Sequence, residues 1–208
     1  MPLIVQFKKL SEKVFSILII EDYAHVVVMG MKGVGKIRLI FRYITKCYML
    51  YSSFDCEEHW NRIELINNKK IDVDITLLKY MDSEYDFWNR LLFSLSNCFI
   101  FVFSVDSNES FLAFPRYLAE IEKNRNTEYR IIAVVNKIDL HEGLWKVNRN
   151  EYRRFFGDQG IALFEVSALS GECVDDAFCY SFTESNNIFH REKKNGNKQG
   201  PKDILFFQ

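Results

Sequence analysis

The stretch Ala24-His25-Val26-Val27-Val28-Met29-Gly30-Met31-Lys32-Gly33-Val34-Gly35-Lys36-Ile37 sets the architecture. A β-branched run that ends at a glycine reads as a buried parallel strand. Isoleucines and leucines then recur at 37, 39, 40 and 44 with helical spacing. A strand that passes through three glycines and a lysine into a helix suits an anion. The glycines let successive backbone N–H groups converge on phosphate oxygens, and the helix N-terminus adds partial positive charge. Gly30, Lys32, Gly33, Val34, Gly35, Lys36 and Ile37 are therefore the candidate phosphate-binding residues, and Lys36 can reach the terminal phosphates.

Outward from this point, strands and helices alternate. Ile71 to Met81 has strand character, and Phe87 to Leu95 is helical in pattern. Phe99 to Val105 and Arg130 to Val135 are continuous apolar runs, as central strands are. Ser110 to Ile121 is an amphipathic helix with Phe111, Phe114, Leu118 and Ile121 on one face. Ile161 to Val166 is a further strand, and Val174, Ala177, Phe178 and Phe182 mark a last helix. Such alternation predicts a parallel sheet covered on both faces, an α/β architecture.

Composition agrees. The 208 residues are 48% hydrophobic and 26% charged, which is globular. Lys plus Arg is 27 and Asp plus Glu is 28, so net charge is −1 and a nucleic-acid partner is not expected. The 19 phenylalanines point to an aromatic core. Cys47, Cys56, Cys98, Cys173 and Cys179 form no Cys-x-x-Cys pair, and a reducing compartment follows. His25, His59, His141 and His190 are scattered, so neither a metal site nor a catalytic histidine is expected. No stretch is long and apolar enough for a membrane span.

Two further motifs bear on the ligand. Asn136-Lys137-Ile138-Asp139 directly follows a strand. A carboxylate there can accept two hydrogen bonds from the N1 and N2 edge of guanine, while the asparagine braces the loop and the lysine stem covers the base. Adenine would leave buried polar groups unpaired. Ser167-Ala168-Leu169 follows the next strand, where a backbone N–H can meet the guanine O6.

Taken with Val102-Phe103-Ser104-Val105-Asp106-Ser107-Asn108-Glu109-Ser110-Phe111 and Glu165-Val166-Ser167-Ala168, these motifs resemble the Ras superfamily of small GTPases, with a Ras and Rab flavour, over roughly residues 24–188. The resemblance implies a P-loop three-layer sandwich with a mostly parallel six-stranded sheet flanked by helices. It implies GTP or GDP as ligand and effector or regulator proteins as partners, through loops 48–60 and 82–90. It assigns guanine contacts to Asn136, Lys137, Asp139, Ser167, Ala168 and Leu169, and base stacking to Tyr48. The chain divides into an amphipathic extension (1–22), a GTPase-like domain (23–190) and a flexible basic tail (191–208).

The departures are chemical. Where the family carries the Mg²⁺-binding Ser or Thr after the P-loop lysine, Ile37 has no oxygen. Ungapped counting puts Asp55 at the switch I threonine, where a solvated loop acid is the simpler reading. Asp82 matches the metal-side aspartate of the second switch, but Ser83-Glu84-Tyr85 follows at once, without the family's glycine and glutamine. Lys32 stands where a side chain crowds the attacking water. Together these losses imply slow or absent intrinsic hydrolysis and weakened Mg²⁺ binding, with no catalytic residue to name. Two alternatives stay open: a nucleotide-independent interaction scaffold, and a GTPase completed by a partner's residues.

No cysteine follows Cys179 and residue 2 is proline, so neither prenylation nor N-myristoylation is expected. Leu3, Phe7, Leu10, Val14 and Leu18 share one face of an N-terminal helical pattern beside Lys8, Lys9 and Lys13. That face suits either the domain itself or a membrane interface. The expected location is cytoplasmic, with peripheral membrane contact through this segment as the variant.

Overall fold

The computed structural model describes residues 22–48, 58–78 and 86–194. The elements are β1 (Tyr23–Met29), α1 (Lys36–Thr45), β2 (His59–Ile66), β3 (Lys69–Leu77), α2 (Asp86–Leu95), β4 (Cys98–Ser104), α3 (Asn108–Leu112), α4 (Phe114–Asn124), β5 (Arg130–Asn136), α5 (Arg149–Asp158), β6 (Ala162–Glu165) and α6 (Val174–Lys194). The sheet has six strands in the order β2-β3-β1-β4-β5-β6. β2 runs antiparallel to β3, and every other pairing is parallel. This is the expected three-layer α/β sandwich.

The strands alternate side chains between two cores. One face sets Val26, Val28, Val73, Ile75, Ile100, Val102, Ile132 and Val134 against Leu39, Ile40 and Tyr43 of α1 and Phe178 and Phe182 of α6. The other is the aromatic one. Phe99, Phe101 and Phe103 of β4 meet Phe111, Phe114, Tyr117, Tyr152 and Phe156 from α3, α4 and α5. Phe101 lies edge-on to Phe114 at 5.2 Å, and Phe103 edge-on to Tyr152 at 5.6 Å. Each fully buried ring contributes about 1.5–3 kcal/mol, which accounts structurally for the phenylalanine content.

Several expectations change. The helix expected over Ser110–Ile121 is two helices. Ser107 caps α3, its Oγ accepting from the Ser110 N–H at 3.3 Å. Pro115 opens α4 because it has no N–H to continue the α3 ladder. The strand expected over Ile71–Met81 ends at Leu77. α6 runs to Lys194, so residues 191–194, assigned to the tail, are helical. β2 and α5 are additions. The β2–β3 turn is Asn67-Asn68, both at positive φ (51° and 63°), as a two-residue hairpin requires.

No helix among the described residues is long and apolar enough to cross a membrane. Among them Cys47, Cys98, Cys173 and Cys179 are free thiols. The N-terminal pattern 1–21, residues 49–57 with Asp55 and residues 79–85 with Asp82 lie outside the described residues, and residues 86–90 of the expected loop 82–90 are instead the first turn and more of α2.

Candidate functional site

The site forms at the carboxyl ends of β1, β4 and β5 and the loop after β6, where open parallel sheets bind ligands. Gly30 turns the chain out of β1 at φ 139°, and a Cβ there would lie 2.1 Å from the Val102 carbonyl oxygen. Gly35 caps α1 at φ 95°, with a Cβ position 2.5 Å from Asn136 Nδ2. Gly33, at φ 89°, faces open space: a Cβ would meet nothing within 4 Å. Two glycines are thus needed for close approach and the third for conformation alone.

Lys36 is 8% exposed and reaches back over the loop. Its Nζ donates to the carbonyls of Gly30 at 2.7 Å and Met31 at 2.9 Å. Burial pulls its pKa down to about 8. The cradle fits a phosphate: glycine-permitted backbone, an open side at Gly33, and a desolvated ammonium that an anion would stabilise.

Asn136, buried at the end of β5, joins three segments. Its Nδ2 donates to the Val34 carbonyl at 2.9 Å, and its Oδ1 accepts from the Ala168 N–H at 3.1 Å. The asparagine therefore locks the phosphate loop to the 167–169 loop, and the Ala168 N–H is engaged there. Ser167 is fully buried and its Oγ donates to Asp139 Oδ1 at 2.5 Å. Asp139 is exposed, with its other oxygen open to a ligand edge. Lys137 adopts positive φ (68°) and its Nζ donates to Asp106 Oδ2 at 2.8 Å and Oδ1 at 3.1 Å. Burial raises the Asp106 pKa, but hydrogen bonds from Lys137 and Ser104 outweigh it and hold the carboxyl low. Asp106 is a positioning residue that the motif reading passed over, although it lies inside the quoted stretch 102–111.

Residues 25–187 match the sequence profile of the Ras family. The chain belongs to the Ras family. Ras-like protein family member 12 of Danio rerio is 24% identical over 183 residues, covering 86% of this chain and 67% of that protein. Ras-related protein Rab-2B of Dictyostelium discoideum is 26% identical over 161 residues, covering 76% and 79%. Ras-family membership places the chain among small GTPase-like proteins of signalling and trafficking, which bind GTP and GDP, generally with Mg²⁺.

Against the Ras-family pattern, Ile37 packs its side chain on the first core and offers no oxygen. Among the described residues no group of three or more His, Cys, Asp or Glu side chains is arranged to hold a metal ion. The described residues thus form a phosphate-type cradle without the hydroxyl after Lys36, and the metal-side candidates Asp55 and Asp82 lie outside them. Tyr48, half-buried, has its ring centroid 5.6 Å from the Arg38 guanidinium carbon. Leu169 is exposed at the mouth of its loop.

The scattered histidines are not all apart. His25 Nε2 and His59 Nδ1 both meet Thr76 Oγ1, at 3.0 and 3.1 Å, and His59 Nε2 lies 3.2 Å from the buried Asp74. Sheet register brings them together, since Thr76 pairs with Val27 and with His59. The cluster braces β2, β3 and β1. An open cavity of about 460 Å³, lined by Asp22, Lys69, His190, Lys193 and Lys194, lies at the amino-terminal end of β1, away from the phosphate loop.

Lys36 sets a pH dependence. Its folded pKa is depressed below the ordinary 10.5, so between about 8 and 10.5 the unfolded chain binds more protons and stability rises with pH. Phosphate binding runs the other way, because above about pH 8 the lysine must take up a proton to pair with the anion. Nucleotide affinity should therefore fall from pH 8 to 9.5 by up to tenfold per unit. Calorimetry in buffers of different ionisation enthalpy should show proton uptake on binding. Affinity flat across that range would refute the assignment of Lys36.

Proposed function

We propose that this Ras-family protein binds guanine nucleotide and hydrolyses GTP slowly or not at all, acting as a switch or adaptor. The observation that carries the reading is Asn136, bonded at once to the phosphate loop and to the 167–169 loop. That bond holds a phosphate-type cradle and an exposed, Ser167-held carboxylate in one rigid frame. Gly30–Lys36 take the phosphates, Asp139 the N1 and N2 edge of guanine, and the Lys137 stem one face of the base. Leu169 and the backbone at 167–168 border the O6 side, and Tyr48 stacks on the base.

Slow hydrolysis follows from the residues present. After Leu78 the chain reads Lys79-Tyr80-Met81-Asp82-Ser83-Glu84-Tyr85, with no glycine to sense a γ-phosphate and no glutamine to orient water. Asp82 is the residue that would stand on the metal side were a divalent cation to join the nucleotide. The output passes to effector or regulator proteins through loops 48–60 and 82–90, in the cytoplasm, with the amphipathic N-terminal segment as the point of peripheral membrane contact.

One observation favours a nucleotide-independent scaffold instead. Lys36 is already satisfied by its own loop carbonyls, so the cradle holds its shape through internal bonds. The nucleotide content of the purified folded protein decides. Stoichiometric GTP after denaturation is the expected result. Bound GDP that arises from loaded GTP at the rate of an intact family member would remove the slow-hydrolysis claim. A folded protein that is empty, and whose melting temperature does not move with added GTP, would establish the scaffold.

A further inference from the structure

We propose that Lys32 takes the place of the divalent cation, so that this protein holds guanine nucleotide without Mg²⁺. The proposal rests on the guanine-nucleotide reading above and concerns how the same site balances charge. A nucleotide brings several negative charges, and backbone N–H groups with one lysine neutralise only part of them. In P-loop proteins a divalent ion bridges the β- and γ-oxygens and supplies the remainder, anchored by a hydroxyl after the P-loop lysine and by an aspartate.

Here that anchor is a hydrocarbon. Ile37, half-buried and packed against the first core, carries no oxygen and cannot coordinate. Mg²⁺ demands near-ideal octahedral oxygen geometry, so the loss of an anchoring hydroxyl weakens its hold on the site. The described residues supply no alternative carboxylate cluster.

What the loop has instead is a second lysine. Lys32 sits at the turn of the cradle, between Gly30 and Gly33, and its neighbour Gly33 faces open space. It is exposed, and its ammonium has no acceptor among the described residues. Lys36, by contrast, is buried and tied to two carbonyls. Lys36 is thus the fixed charge of the site and Lys32 the adaptable one. A lysine ammonium is a compact charge on a flexible stem with three donors, suited to phosphate oxygens arriving from solvent. One monovalent charge replaces two, so binding is weaker than with an intact metal site. Because Lys32 is exposed, that binding is also screened by salt.

The test is release of a fluorescent GDP analogue from the full-length protein, with and without excess EDTA. The expected result is that EDTA speeds release less than threefold. Lys32→Ala should speed it tenfold or more at unchanged melting temperature, and Lys32→Arg should stay within threefold of the parent. Acceleration by EDTA of threefold or more would overturn the proposal while leaving guanine binding intact. So would a Lys32→Ala protein releasing within threefold of the parent rate. If the folded parent shows no saturable binding of the analogue, the guanine reading falls and takes this proposal with it.

Discussion

Gly30→Ala should unfold this protein at temperatures where Gly33→Ala is still folded. At Gly30 an added Cβ would lie 2.1 Å from the Val102 carbonyl oxygen, well inside contact distance. The obstacle is backbone of the central strand β4, which cannot swing away as a side-chain tip can. The φ of 139° adds conformational strain for any L side chain. Strain of this kind costs about 1–3 kcal/mol, and overpacking a closed site adds roughly 1–3 kcal/mol more. Against a total stability of about 5–15 kcal/mol, that is a large share. A melting temperature lowered by roughly 10 °C follows for a domain of this size. Gly33→Ala carries the φ penalty alone, because its Cβ meets nothing within 4 Å. Its melting temperature should drop by only a few degrees. Thermal melts of the two variants, taken without added nucleotide, make the comparison. Equal melting temperatures would mean that β1 and β4 do not approach at Gly30 as described.

That contrast also shows which parts of the molecule can be read from its residues. The central strands β4 and β5 and the Val26–Met29 part of β1 are buried on both faces, so they read as apolar runs. The phosphate loop is legible because its backbone geometry demands glycine at particular places. β2 is different. It is an edge strand whose two faces both mix polar and apolar residues, with Ile63 and Leu65 exposed and Arg62 and Glu64 half-buried. No alternation survives, and only Asn67-Asn68 marks the hairpin. α5 escapes for a related reason: a charged helix buries only Tyr152 and Phe156, one turn apart. In the site, Asn136, Lys137 and Asp139 form a contiguous motif. Asp106 lies 31 residues before Lys137, and its pairing exists only once β4 and β5 are aligned. The meeting of His25 and His59 at Thr76 likewise depends on strand register, which no local pattern encodes. The split of α3 from α4 was within reach, because Pro115 is in plain view, but the apolar periodicity runs across it.

Asp139→Ala should abolish guanine selectivity while leaving the fold intact, and Asn136→Ala should damage both. The two side chains lie three residues apart, yet their surroundings differ. Asp139 is exposed, and truncating it strands one buried donor, the Ser167 hydroxyl, which still accepts from the Ser170 N–H, so the melting temperature falls less than when both partners of Asn136 are lost. What is lost is a pair of charge-assisted hydrogen bonds to the base. At about 1.5–3 kcal/mol each, their removal lowers GTP affinity by roughly 10²–10⁴-fold and lets ATP compete. Asn136 is buried, and its removal leaves the Val34 carbonyl and the Ala168 N–H without their partner. Each unsatisfied buried group costs about 1–3 kcal/mol, so the melting temperature falls together with affinity. Asn136→Asp separates the two bonds: its carboxylate still accepts from Ala168 but cannot donate to Val34, and it adds a buried charge. It should therefore melt no higher than Asn136→Ala. GTP and ATP titrations paired with thermal melts read both effects. An Asp139→Ala protein that keeps GTP affinity within threefold would remove Asp139 from the base site. If Asn136→Ala melts like the parent, the bridge between the two loops does not hold them.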